Sequence, residues 1–101
     1  MAELNGRQKR KLKSLAHHLK PVVQIGQKGL TEALVKAVDR ALTDHELIKV
    51  KFVDFKDEKH ELASEVSNST GANLVDMIGN IAIFYRENPE LEETRKIRPG
   101  R

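Results

Sequence analysis

Apolar residues recur along the chain first at helical spacing and then in short alternating runs. Leu12, Leu15, Ala16 and Leu19 fall at i, i+3, i+4 and i+7, which predicts a helix over about residues 6–19 with Asn5 as its cap. Pro21 stops that helix, and Val22-Val23-Gln24-Ile25 reads as a short strand. Gly26-Gln27-Lys28-Gly29 breaks the strand, and Thr31 suits the N-cap of a second helix, about 32–42. Its buried side is Leu34, Val35, Val38, Ala41 and Leu42. In a strand over residues 46–55, Ile48, Val50 and Phe52 alternate with Lys49 and Lys51, so one face is buried. Asp57 opens a third helix with Leu62, Ala63 and Val66 on its apolar side and Gly71 just past its end. Residues 74–78 and 81–86 read as two closing strands, joined at Gly79-Asn80 by a tight hairpin turn.

The order is therefore α-β-α-β-α-β-β. Strands separated by helices favour parallel crossovers, and the last pair is an antiparallel hairpin. The expected fold is α/β: a single compact domain with a mixed four-stranded sheet packed with three helices. Residues 1–87 are expected to form this domain. Residues 88–101, polar and charged from Asn88-Pro89 onward, are expected to be a flexible tail.

Composition narrows the function classes. The 101 residues are one domain's worth, and 39% of them are apolar, enough for one modest core. There is no cysteine, which excludes disulfides, thiol catalysis and cysteine-containing zinc sites. Apolar runs such as Ile81-Ala82-Ile83-Phe84 are far shorter than the roughly 20 residues of a membrane span. Met1-Ala2-Glu3-Leu4 leads into charges with no signal-peptide segment. A soluble, cytoplasmic, monomeric protein is the expectation.

Charge changes the picture more. Residues 1–40 carry nine basic and three acidic residues, residues 41–93 five against twelve, and residues 94–101 four basic and no acidic. A basic front, an acidic middle and a basic end point to a polyanionic partner for the basic part, or to a solvated basic helix and a charged tail. On the first helix Arg7, Arg10, Lys11 and Ser14 share a face, and Lys9, Lys13 and Lys20 extend the positive charge. Without acids to pair with, these cations repel one another unless an anion neutralises them.

Gly26-Gln27-Lys28-Gly29, between a strand and a helix, is the informative segment. Glycines let a bulky group approach the backbone, the helix start offers N–H groups, and Lys28 adds a full charge. That suits a phosphate-backbone clamp of the GxxG kind, although the same four residues also make an ordinary turn. On the second helix Lys36 and Arg40 extend this reach, or Glu32 and Lys36 simply form a helix pair. The nucleotide patterns GxxxxGK[ST] and GxGxxG are absent. His17 and His18 are adjacent, so on a helix they point to different faces and are expected to end it or pack at its edge. With His45 and His60 in separate elements, no metal site and no cofactor are expected. The carboxylates of residues 54–65 alternate with Lys56, Lys59 and His60 and read as a solvated face rather than an acid–base pair. Phe52 and Phe84 read as core, whereas Tyr85 alternates with them and is the candidate for exposure. So few aromatics favour reading of phosphates and shape over bases.

The segment from His18-Leu19-Lys20-Pro21 through Gly26-Gln27-Lys28-Gly29-Leu30-Thr31-Glu32, with His45-Glu46-Leu47-Ile48-Lys49-Val50-Lys51 and Ile78-Gly79-Asn80-Ile81-Ala82-Ile83-Phe84-Tyr85-Arg86, resembles the CRM domain (chloroplast RNA splicing and ribosome maturation), in its bacterial stand-alone YhbY type. The resemblance covers about residues 4–87. It implies an RNA-binding module for precursors of the large ribosomal subunit, with a fold similar to the C-terminal domain of translation initiation factor three. The family's GxxG loop falls on Gly26, Gln27, Lys28 and Gly29, and its basic first helix on residues 7–20.

The expectation is a non-enzymatic protein that binds ribosomal RNA and assists large-subunit assembly. RNA contacts are expected at Gly26, Gln27, Lys28, Gly29, Arg7, Arg10, Lys11, Lys20, Lys36 and Arg40, with no catalytic or metal residue. The alternative is an adaptor that docks on ribosomal proteins through its acidic middle.

Overall fold

Asn5 caps the first helix from both directions: its Oδ1 accepts from the Gln8 N–H at 2.8 Å, and its own N–H donates to Gln8 Oε1 at 3.0 Å. In the computed structural model, which describes residues 3–99, this helix (α1) runs Gly6–Ala16. Met1 and Ala2 of the expected domain, and Gly100 and Arg101 of the expected tail, lie outside the described residues. α1 ends earlier than its apolar stripe suggests, and Pro21 has no N–H to offer the His17 carbonyl in a continued helix. The Lys49 Nζ instead donates to the carbonyls of His17 at 3.4 Å and Leu19 at 3.0 Å, capping oxygens that have no helical partner. Leu12 and Ala16 are fully buried, but Leu15 and Leu19 are 37% and 39% exposed.

Strand β1 (Val23–Ile25) follows, then helix α2 (Glu32–His45), with the Thr31 hydroxyl accepting from the Leu34 N–H at 3.1 Å. β2 is Leu47–Phe52; it stops there because the Ile25 carbonyl accepts from both Val53 and Asp54, and Phe55 turns the chain with φ +57. A 3₁₀ turn, Lys56–Glu58, precedes helix α3 (Lys59–Thr70). β3 (Asn73–Ile78) and β4 (Ile81–Tyr85) form the hairpin. Gly79 takes φ +58 while Asn80 stays at negative φ, the combination of a type II′ turn.

The sheet order is β1-β2-β4-β3, with β1 parallel to β2 and the other pairs antiparallel. The expected mixed four-stranded sheet with three helices is thus present. The helices divide between its faces. Ile48, Val50, Phe52, Ala82 and Phe84 face α2 and α3 and form the main core with Val38, Leu42, Ala63 and Val66. Leu47, Val75, Ile83 and Tyr85 face the other way and form a smaller cluster with Leu12 and Ala16 of α1. Tyr85, the candidate for exposure, is instead buried in this second cluster: it does face away from Phe84, but α1 covers that side as well. Burial, with Glu46 and Glu87 adding to it, pushes its hydroxyl up to about 12.

Residues 88–99 make contacts their polarity does not suggest. Glu46, read from sequence as the first residue of a strand, caps α2 with φ +63, and its side chain is fully buried. Its Oε2 accepts from the Asn88 N–H at 2.7 Å and from Lys96 Nζ at 3.3 Å, and its Oε1 from the Ile97 N–H at 2.6 Å. Ile97 and Leu4 pack against the second cluster from outside.

Candidate nucleic-acid interface

The GxxG loop leaves β1 at one end of the sheet. A Gly29 N–H to Gly26 O bond of 3.0 Å closes it as a turn, leaving Gln27 and Lys28 exposed at its apex. Gly29 has φ +66, and a Cβ there would lie 3.3 Å from Phe55 Cε2, so both conformation and space call for glycine. The start of α2 just beyond is already occupied in part. Thr31 takes the Leu34 N–H, and the first turn carries Glu32, which pairs with Lys36 at 3.4 Å.

On α1, Arg7, Arg10 and Lys11 are exposed and make no ion pair among the described residues. Lys13 is committed: its Nζ lies 2.9 Å from Asp76 Oδ2. That hydrogen bond holds the Asp76 carboxyl below the usual carboxylate range, helped by the Met77 N–H and opposed by partial burial. Lys20 is exposed just past the helix, at the edge of a separate cleft with Leu19, Val22, Asp44 and Arg95.

The layering sorts the sequence-derived candidates. Arg7, Arg10 and Lys11 sit on α1, on one face of the sheet. Lys36 and Arg40 sit on α2, which packs on the other. The loop lies at the sheet's end, between the two layers.

Three features were not apparent from sequence. Lys49 and Lys51 point to the α1 side of the sheet, where the helix covers Leu47 and Tyr85 but leaves the other half open. Their alternation with core residues showed that they face away from the main core, but not that a helix would stop short of them. Ile78 stands 50% exposed on this open half. His17 and His18 both line a cleft between the end of α1 and this open half of the sheet, although a helix would have sent them to different faces. α1 ends at Ala16, so His17 is a cap and His18 lies beyond the helical path; their rings meet edge to face, with centroids 5.1 Å apart. Among the described residues no group of three or more His, Asp or Glu could hold a metal ion, and no helix is long and apolar enough to cross a membrane.

Residues 4–86 match the family model described as the CRS1 / YhbY (CRM) domain. A protein of Pseudomonas aeruginosa named as a probable RNA-binding protein is 43% identical over 88 residues, covering 86% of this chain and 85% of that one. An RNA-binding protein of Haemophilus influenzae is 42% identical over 91 residues, covering 89% and 92%. A solved solution structure from Staphylococcus aureus, given as a candidate RNA-binding protein, superimposes with a TM-score of 0.77 at 43% identity, covering 90% of this chain and 96% of that one.

Proposed function

The chain belongs to the CRS1/YhbY (CRM) domain family, and from that premise we propose that it is a non-enzymatic RNA-binding protein. Its target in this reading is ribosomal RNA in precursors of the large ribosomal subunit, whose assembly it assists in the cytoplasm. Residues 1–87 are the binding unit. The observation that carries the reading is the set of exposed cations on α1 that form no ion pair among the described residues, with a glycine-held loop at the far end of the half-sheet that α1 leaves open. Lys28 and the loop hold one phosphate, and Arg7, Arg10, Lys11 and Lys20 meet others along the α1 side. Lys36 and Arg40 form the margin of the site on the α2 side, with Lys36 shared with Glu32. In this reading the protein binds RNA without turning it over, as the naming of its relatives as RNA-binding proteins supports.

Salt titration of binding to a single-stranded RNA tests the reading. About four to six phosphate contacts, at roughly −0.7 each, give a log–log slope of about −3 to −4. Replacing Arg10 and Lys11 together flattens the slope by up to about 1.4 units. Glu58→Gln and Glu61→Gln, exposed at the start of α3 in the opposite layer, leave it unchanged. A salt-insensitive complex, or one lost on changing α3 and kept on changing α1, replaces this reading with docking on a ribosomal protein.

A further inference from the structure

Where α1 stops short, it leaves a cleft of about 640 Å³ against the open half of the sheet, within the range of small-ligand sites. The floor is apolar: Ile78, half exposed, and Ile81 and Ile83 beside it. The walls are Arg10, Lys13, Ser14 and Lys49 with the His17–His18 ring pair; Lys13 is held by Asp76 and Lys49 by two carbonyls, Arg10 makes no ion pair among the described residues, and no carboxylate is among the lining residues. An apolar floor under a net cationic rim with a hydroxyl and two imidazoles fits a ligand that is flat and weakly polar on its faces but anionic at one end. We propose that this cleft receives one unpaired nucleotide of the bound RNA, its base on the isoleucine floor and its phosphate at Arg10. The inference rests on the RNA-binding reading and extends it from phosphates to a base.

Register supports a path into the cleft from the loop. Gln24 pairs with Lys51, Lys51 with Ile81, and Ile81 with Ile78, so these four side chains form one row across the sheet on the α1 side. The row begins two residues before Gly26 and ends on the cleft floor. From β1 to β4 it spans two strand spacings, about 10 Å, a distance one RNA strand covers in a few nucleotides. Lys51, exposed midway, is placed to meet the phosphate between them. At the cleft the imidazoles stand 79° apart, so a base lying flat on one ring meets the other at its edge. Histidine is among the side chains on which unpaired bases stack.

The test separates base from phosphate. Binding of a twelve-nucleotide oligouridine is compared with binding of the same backbone lacking bases, for the wild type and for Ile78→Ser with His18→Ala, both exposed positions. We expect the double variant to bind oligouridine about five- to ten-fold more weakly, to bind the abasic strand as the wild type does, and to unfold at the wild-type urea concentration. Photocrosslinking of 4-thiouridine-labelled RNA to the wild type gives an independent readout, expected in residues 14–18 or 78–83. Equal losses on both probes, no loss on either, or crosslinks confined elsewhere overturn the nucleotide cleft while salt-dependent binding of the abasic strand keeps the RNA-binding reading standing. If neither probe binds the wild type, both fall.

Discussion

At Gly29 backbone geometry and ligand chemistry impose separate demands, and a pair of variants can tell them apart. Any side chain there meets φ +66 and the Phe55 ring, a cost of about 1–2 kcal/mol for asparagine or aspartate. Asparagine tolerates this region best and matches aspartate in size, so the difference between Gly29→Asn and Gly29→Asp isolates the added charge. With a phosphate at the loop, Gly29→Asp should bind RNA about ten-fold more weakly than Gly29→Asn. Equal affinities in two folded variants would remove the loop from the interface. Glu46 is the second residue where a single change has a large consequence. Its buried carboxylate is held by two N–H groups and the Lys96 ammonium. Lys96→Met leaves that charge without its counter-ion, which should cost about 3 kcal/mol in urea unfolding. None of this was legible in the sequence, where Glu46 was one acid among the twelve of an acidic stretch. Only the meeting of residues 46 and 96 gives it a role.

The elements themselves were largely legible, because their hydrophobic periods and caps agree. Asn5, Thr31, Gly71 and the Gly79-Asn80 turn all stand where local chemistry places them. What periodicity could not give is which face of the sheet each helix takes, since an amphipathic helix reads the same on either side. The separation of Lys36 and Arg40 from Arg10, and the burial of Tyr85, both follow from that one unread fact. α1 carries most of the cations of the proposed interface, and the Lys13–Asp76 pair ties it to β3. Because Asp76 titrates lower in the folded protein than its ordinary 3.8, the pair stabilises the fold above that value and the benefit disappears as pH falls through the lower one. Asp76→Asn keeps an acceptor for the Met77 N–H, so it should lower stability at pH 7 by less than about 1 kcal/mol for this half-exposed pair. Chemical unfolding of both proteins across pH should show the gap closing in acid. A gap that persists there would mean that packing, not charge, accounts for it.

For the whole molecule, the described part of residues 88–101 is the place where composition and structure diverge most. A run rich in Glu, Arg and Lys reads as tail, yet Ile97 joins the second cluster and Lys96 is nearly buried. Tyr85 reports on this contact. It is the only tyrosine, and there is no tryptophan, so its ultraviolet titration is unobscured. In the intact protein it should ionise near 12. Removal of residues 88–101 should admit water and move its midpoint back toward about 10. An unchanged titration would show that the segment contributes nothing to the burial of Tyr85. Leu4 and Ile97 rest on the same small cluster beneath α1, so both ends of the described residues meet under the helix that carries the unpaired cations. A fusion partner, affinity tag or surface anchor at either end should therefore disturb the mounting of that helix. The protein tethered by an end should register as a weaker RNA binder than the same protein tethered through an exposed α3 position such as Ser64→Cys.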